Sequence, residues 1–310
     1  MKKILPVILF LLAATASART YDATYIATLS NIPAGLEQLT VWIPLPASRG
    51  AQNVTNLTID SPHAFTRRTD AHGNEYAFAT IVKPAAGELR VRVKFTVDRD
   101  ELRFDAPPET KATAAELKHA LEADRLVTLS PRVQKLASEV TAGKSGTVEQ
   151  ARAIYDHLLA TMAYDKTAPG WGQGDTERAC DVRKGNCTDF HSLFMSLARA
   201  KGIPARFVIG FPLTASDGVV KGYHCWAEFW LDGKGWIPVD ASDAAKSDDP
   251  KIRQYLFGNL DAARVQFTIG RDLELTPKTL DPLNYFIYPR AESNGKIVGM
   301  PSIEMEFAAR

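Results

Sequence analysis

Residues 185–211 read GNCTDFHSLFMSLARAKGIPARFVIGF, and the way this stretch folds decides how the rest of the chain is arranged. From Thr188 onward, Phe190, Leu193, Phe194, Leu197 and Ala198 keep helical phase until Gly202 and Pro204 stop it. The spacing predicts an amphipathic helix with Cys187 at its N-terminal edge. Free N–H groups and the helix dipole favour negative charge at such an edge. A thiol there, beside an imidazolium, gives up its proton more readily, and the same amides suit a developing oxyanion. Placement alone leaves two readings open, a nucleophile and a buried structural cysteine.

Downstream, residues 219–242 read VVKGYHCWAEFWLDGKGWIPVDAS, two strand-like segments around an Asp232–Gly233 turn. A period of two puts His224, Trp226, Glu228 and Trp230 on one face and Cys225, Ala227, Phe229 and Leu231 on the other. A two-residue loop would set Asp240 opposite Cys225, on the wrong face for His224. An odd-length turn, or one bulge near Gly233 or Gly235, sets Asp240 opposite Trp226 and diagonal to His224. A His224–Asp240 hydrogen bond therefore requires the odd turn, and the odd turn is the expectation.

The N-terminal part alternates differently. TYDATYIATLS, EQLTVWIPLP, NVTNLTID, NEYAFATIV and ELRVRVKFTVD are short, rich in β-branched and aromatic residues, and separated by turn formers. In the last of them Leu89, Val91, Val93, Phe95 and Val97 share one face while Arg90, Arg92, Lys94 and Thr96 share the other, the mark of an antiparallel sheet with one wet side. Pro107 and Pro108 then mark a linker into helix-forming sequence. Ser130–Pro131 reads as an N-cap and first helical position, and TVEQ at 147–150 as a capping box. After it Ala151, Ile154, Tyr155, Leu158, Leu159 and Met162 form one apolar stripe. A polar loop from Tyr164 to Gly185 leads back to the cysteine.

Composition fits a globular chain: 45% hydrophobic, 24% charged, formal net charge +1. No single-sign field exists to draw nucleic acid or anionic lipid, so neither is expected as a partner. The start, Met1 to Ala18, combines two lysines, an apolar run over residues 4–14 and the small residues Ala16, Ser17 and Ala18, the pattern of a cleaved signal peptide. A periplasmic or secreted location follows as an expectation, and no later stretch approaches the length of a membrane span. The three cysteines, Cys180, Cys187 and Cys225, leave at least one thiol unpaired.

The ordered set of Cys187 at a helix start, RAKGIPAR after it, His224 before x-Trp, and Asp240 after Trp-x-Pro-Val resembles the transglutaminase-like superfamily, whose core is a papain-like thiol-enzyme fold. The resemblance spans roughly 130–245, with VEQARAIYDHLLATMAYD as its weaker part. It implies an α+β protein: a signal peptide over 1–18, a β-sandwich-like domain over 19–104, a catalytic core of helices on an antiparallel sheet over 105–275, and a closing β segment over 276–310. VWIPLP in the first domain and NYFIYPRAESNGKIVGMPSIEMEF at the end resemble the companion segments of bacterial relatives. Carried over, Cys187 is the nucleophile, His224 the general base and acid, and Asp240 the group that orients the imidazole, all in a groove open to a protein or peptide substrate. Attack on an amide gives a thioester, taken by water or by an amine. Hydrolysis is favoured over crosslinking, and a non-catalytic binding module on the same fold is the other class. Trp171 or Gln173 would supply a second oxyanion donor. No cofactor or metal is expected. Cys180, Cys187, His191 and His224 match no structural zinc spacing. A Cys180–Cys187 or Cys180–Cys225 disulfide would be the oxidised alternative, with Cys225 more simply a core thiol. His191, one turn after Cys187, reads as a packing histidine, as do His119 and His157 as packing or surface residues. Thr188 and Asp189 read as cap and dipole partners, and at least two of Trp226, Trp230 and Trp236 as core.

Overall fold

The computed structural model describes residues 18–106, 111–214 and 216–310. The signal-peptide expectation and the Pro107–Pro108 linker fall outside the described residues, apart from Ala18. Each N-terminal segment read as a strand is one. Ala18–Ile32, Gly87–Asp100 and Gln52–Asp60 lie side by side in one antiparallel sheet, and Gln38–Pro44, Glu75–Val82 and the short Thr66–Thr69 in another. Leu89, Val91, Val93, Phe95 and Val97 are all buried, as the alternation requires, and so is Thr96, whose hydroxyl donates to Asp22 Oδ1 at 2.9 Å. Arg90 and Lys94 face water.

The end of the chain completes both sheets. Met300–Ala309 pairs with Ala18–Ile32 over ten registered positions, from Tyr21↔Ala309 to Ser30↔Met300. Arg290–Ser293 pairs with Gln38–Pro44. The first strand is therefore central, covered on both edges, and leaves no exposed ladder for another chain to add to.

Between these strands the chain builds a second sheet-and-helix unit. Four antiparallel strands run in the order Gly235–Val239, His224–Leu231, Ala205–Pro212, Arg264–Ile269. The helix Cys187–Ala200 packs on the His224–Leu231 strand, with Pro131–Val140, Thr147–Thr161 and Thr176–Val182 around it. Ringed this way, the cysteine helix loses its wet face: all residues from Cys187 to Arg199 are buried. The sequence reads as amphipathic because its buried polar members, Thr188, Asp189, His191, Ser192 and Ser196, are there for hydrogen bonds.

Ser130 caps its helix and Pro131 opens it, as read; the Ser130 hydroxyl accepts the Val133 N–H at 3.2 Å. The capping box at 147–150 is not formed. Thr147 is the first residue of its helix, Gly146 is the N-cap with no side-chain hydrogen bond, and Glu149 reaches back to the Ser145 N–H at 3.0 Å. Glycine at φ +83° turns the chain into the helix without a side-chain acceptor.

Candidate active site

Three elements converge on Cys187. The first is its own helix, opened by a reciprocal cap in which Asn186 Oδ1 accepts the Thr188 N–H at 2.9 Å and Asp189 Oδ2 accepts the Asn186 N–H at 2.9 Å. Asp189, fully buried, also accepts the N–H groups of Gly172 at 2.7 Å and Gly174 at 3.1 Å. The carboxylate thus ties the 170–174 loop to the helix start. Gly185 makes room for it, since an added Cβ would stand 2.2 Å from Asp189 Oδ2. Arg271 holds the same loop from the other side, donating to Ser192 Oγ at 2.5 Å and to the Gln173 carbonyl at 3.0 Å.

The second element is the hairpin. Leu231 pairs with Gly235 and Ala227 with Val239, so a three-residue turn, Asp232–Gly233–Lys234, joins the strands. Gly233 at φ +76° supplies the left-handed residue. The odd turn puts Asp240 one step beyond the Ala227↔Val239 pair, on the side of His224. His224 Nε2 lies 2.7 Å from Asp240 Oδ2, which leaves Nδ1 as the ring nitrogen for the sulfur, and Cys187 and His224 lie near enough for each to influence the other's ionisation.

The third element was not legible in the sequence. Arg264, at the start of the Arg264–Ile269 strand and 6% exposed, donates from Nη1 to Asp240 Oδ2 at 2.6 Å, from Nη2 to Asp243 Oδ2 at 3.1 Å, and from Nε to Asp261 Oδ2 at 3.1 Å. Asp240 Oδ1 is satisfied by the Ser242 hydroxyl at 3.1 Å and the Asp243 N–H at 3.0 Å. His224, Asp240 and Asp243 offer metal-ligand atoms within 4.8 Å of one another. The guanidinium bridging the two carboxylates already brings the positive charge, so this set fits an arginine clamp. Tyr223, whose hydroxyl contacts Asn186 Nδ2 at 3.1 Å and Thr188 Oγ1 at 2.9 Å, is a further member the sequence did not flag.

The electrostatics follow from these contacts. Burial opposes ionisation of Cys187, but the neighbouring Cys225 and His224 side chains and the charge of His224 hold its thiol well below the ordinary range. Burial likewise opposes charge on His224, yet Asp240 and Asp243 together with its hydrogen bonds raise it to about 10. Asp240, despite complete burial, is kept well below the usual carboxylate range by His224 and Arg264. These directions favour a thiolate at Cys187 and an imidazolium at His224, with the Asp240 carboxylate behind it.

Other candidates land elsewhere. Cys180, Cys187 and Cys225 are all free and buried, so neither disulfide forms. His191 is fully buried, accepting the Ala241 N–H at Nε2 across 3.1 Å, in keeping with a packing role. Only Trp226 of the three strand tryptophans is buried, which corrects the expectation of at least two in the core; Trp230 and Trp236 are half-buried and pack edge to face on each other at 5.5 Å. Trp171 is 38% exposed, while Gln173 gives its carbonyl to Arg271 and Asn284. The open groove expected at the sulfur is a correction. Cys187 is only 2% exposed, with Tyr164, Tyr223 and Tyr288 close enough for their hydroxyls to feel its charge.

Residues 134–241 match the sequence model of the Transglutaminase-like superfamily. An uncharacterised protein of Haemophilus influenzae is 31% identical over 320 residues, taking in 89% of this chain and 85% of that protein. A protein-glutamine gamma-glutamyltransferase of Pseudomonas aeruginosa is 29% identical over 124 residues, 36% of this chain and 18% of that one. The crystal structure of a protein described as a candidate cysteine protease from Cytophaga hutchinsonii has a TM-score of 0.65 at 17% identity, covering 94% of this chain and 91% of that one. Among the described residues, no helix is long and apolar enough to cross a membrane. By matched motif segment, full-length relative and mixed α+β fold together, the chain belongs to the transglutaminase-like superfamily.

Proposed function

We propose that the protein is an exported thiol enzyme that acts on amide bonds of a protein or peptide through a Cys187–His224–Asp240 triad. The observation that carries this reading is the buried His224 imidazole, held through Nε2 at 2.7 Å by a carboxylate with no exposure at all, on the strand against which the Cys187 helix packs. Cys187 attacks the amide carbonyl, forming a C–S bond and an oxyanion that the Cys187 N–H at the helix start is placed to receive. The C–N bond then breaks, and the amine leaves with the proton carried by His224. Water, deprotonated by the same imidazole, attacks the thioester; the C–S bond breaks and the carboxylic acid departs. The chemistry is assigned to 105–275, with 19–104 and 276–310 as companion β structure. Export is supported by the basic start and the apolar run before Ala16-Ser17-Ala18.

Hydrolysis is preferred over acyl transfer because water is the abundant acceptor. The fold likeness to a protein described as a candidate cysteine protease extends over nearly the whole chain, whereas the transferase likeness covers 36% of it. A glutamine-bearing peptide library, incubated with the mature protein with and without a fluorescent primary amine, separates the two by mass spectrometry. The expected result is cleaved or deamidated peptide with little amine adduct. Amine adduct as the main product would make the protein a crosslinking enzyme, and no change in any peptide, together with unchanged peptide on Cys187→Ala, would favour the binding module.

A further inference from the structure

A cavity of about 550 Å³ lies between the C-terminal β segment and the chain around Leu126 and Gln173, a size that suits a ligand site. Its wall is mostly apolar, with Leu126, Leu283, Tyr285, Tyr288, Ile297 and Val298 among the lining residues. Ile297 keeps 57% of its surface in water, so this apolar wall is reached from outside. The charges in the wall are already paired. Arg125 lies 3.2 Å from Asp272, and Arg290 bridges Asp281 and Glu292. Among the described lining residues no charge is left over to select a charged ligand, so what a ligand gains here is burial of apolar surface.

The cavity is continuous with the candidate active site through Tyr223. The Tyr223 ring lies 5.6 Å from that of Tyr285 and meets Tyr288 edge on at 6.0 Å. Its hydroxyl contacts Asn186 Nδ2 at 3.1 Å and Thr188 Oγ1 at 2.9 Å, the residues on either side of Cys187. The loop side is tied in as well. The Tyr285 hydroxyl donates to the Gly172 carbonyl at 3.4 Å, and Asn284 Nδ2 donates to the Gln173 carbonyl at 2.9 Å. Gly172 is one of the loop residues that Asp189 holds against the cysteine helix. A row of tyrosines thus leads from the flanks of Cys187 into the cavity.

We propose that this cavity is a substrate subsite of the Cys187 centre, taking an aromatic or large aliphatic side chain of the peptide near the amide that is attacked. The inference rests on reading Cys187 as the nucleophile, and it adds the class of peptide. The C-terminal segment, which supplies Leu283, Tyr285, Tyr288, Ile297 and Val298, then selects substrate as well as completing both sheets.

The test needs no known substrate. The reduced full chain is alkylated with iodoacetyl-triglycine amide, and with versions in which phenylalanine, aspartate or lysine replaces each glycine in turn, so that the probes reach about 10 Å from the sulfur. Rates at each cysteine are read by mass spectrometry. At one position or more, phenylalanine should speed Cys187 labelling about tenfold over glycine, with no such gain from aspartate or lysine. In Val298→Asp that phenylalanine-to-glycine ratio, taken within the same protein so that a general change in reactivity cancels, should fall to roughly threefold or less. Ile297→Glu, at an exposed position, serves where Val298→Asp does not fold. If Cys187 leads the other cysteines with the triglycine probe but phenylalanine gives no gain, or a charged residue gains as much, or the ratio survives in the folded variant, the subsite is overturned and the nucleophile stands. If the triglycine probe labels Cys187 no faster than Cys180 or Cys225, the nucleophile reading fails and takes the subsite with it.

Discussion

His224→Ala is expected to lower amide turnover roughly 10³- to 10⁴-fold while leaving the protein folded. Two losses combine. The leaving amine has no proton donor, and Cys187, without the imidazolium, must ionise against its own burial. The fold survives because Asp240 keeps Arg264 at 2.6 Å and its contacts with Ser242 and Asp243. The substitution should also change how stability depends on pH. Folding raises His224 from 6.5 to about 10, so its contribution is complete below about pH 6.5 and is lost as pH rises through about 10. The variant should therefore be less stable than the parent at neutral pH and should converge on it above pH 10, read as melting temperature against pH. Equal turnover in the two proteins would remove His224 from the chemistry.

Arg264→Met is expected to cost about 3 kcal/mol of stability, the low end for breaking a buried ion pair. Arg264 reaches Asp240, Asp243 and Asp261 within 3.1 Å, and without it those carboxylates face one another. The cost stays at the low end because Asp240 retains the His224 imidazolium and Asp243 retains Lys246 at 2.7 Å. The sign of the pH effect follows from Asp240, whose carboxyl is held below its usual 3.8. Its contribution is present above that value and is lost as pH falls through the depressed folded value, so losing Arg264 should move that acid loss to higher pH. A thermal scan should show a drop of about 6–12 °C, widening toward pH 4. A shift under about 2 °C would mean the guanidinium is not what keeps Asp240 ionised.

How much of this could be read beforehand differs residue by residue. Cys187 was legible because helix phase and the Gly202–Pro204 stop fix where the helix begins. Asp240 was legible because a period of two allows only an odd turn to put it beside His224. Arg264 was not, since nothing in local sequence says that strand Arg264–Ile269 lies at the edge of the four-stranded sheet, two strands away from His224. Cys225 was read as core, and it is buried. The tyrosines that feel the Cys187 charge come from three separate segments, and no spacing rule links Tyr164, Tyr223 and Tyr288. The capping box at 147–150 failed because its pattern occurs without a cap when glycine can make the turn.

The most direct test of Cys187 as an activated nucleophile is iodoacetamide labelling of the reduced protein at pH 6, with the modified peptide identified by mass spectrometry. The triad predicts that Cys187 is alkylated at least tenfold faster than Cys180 or Cys225. Slow labelling of all three cysteines at one common rate would contradict it.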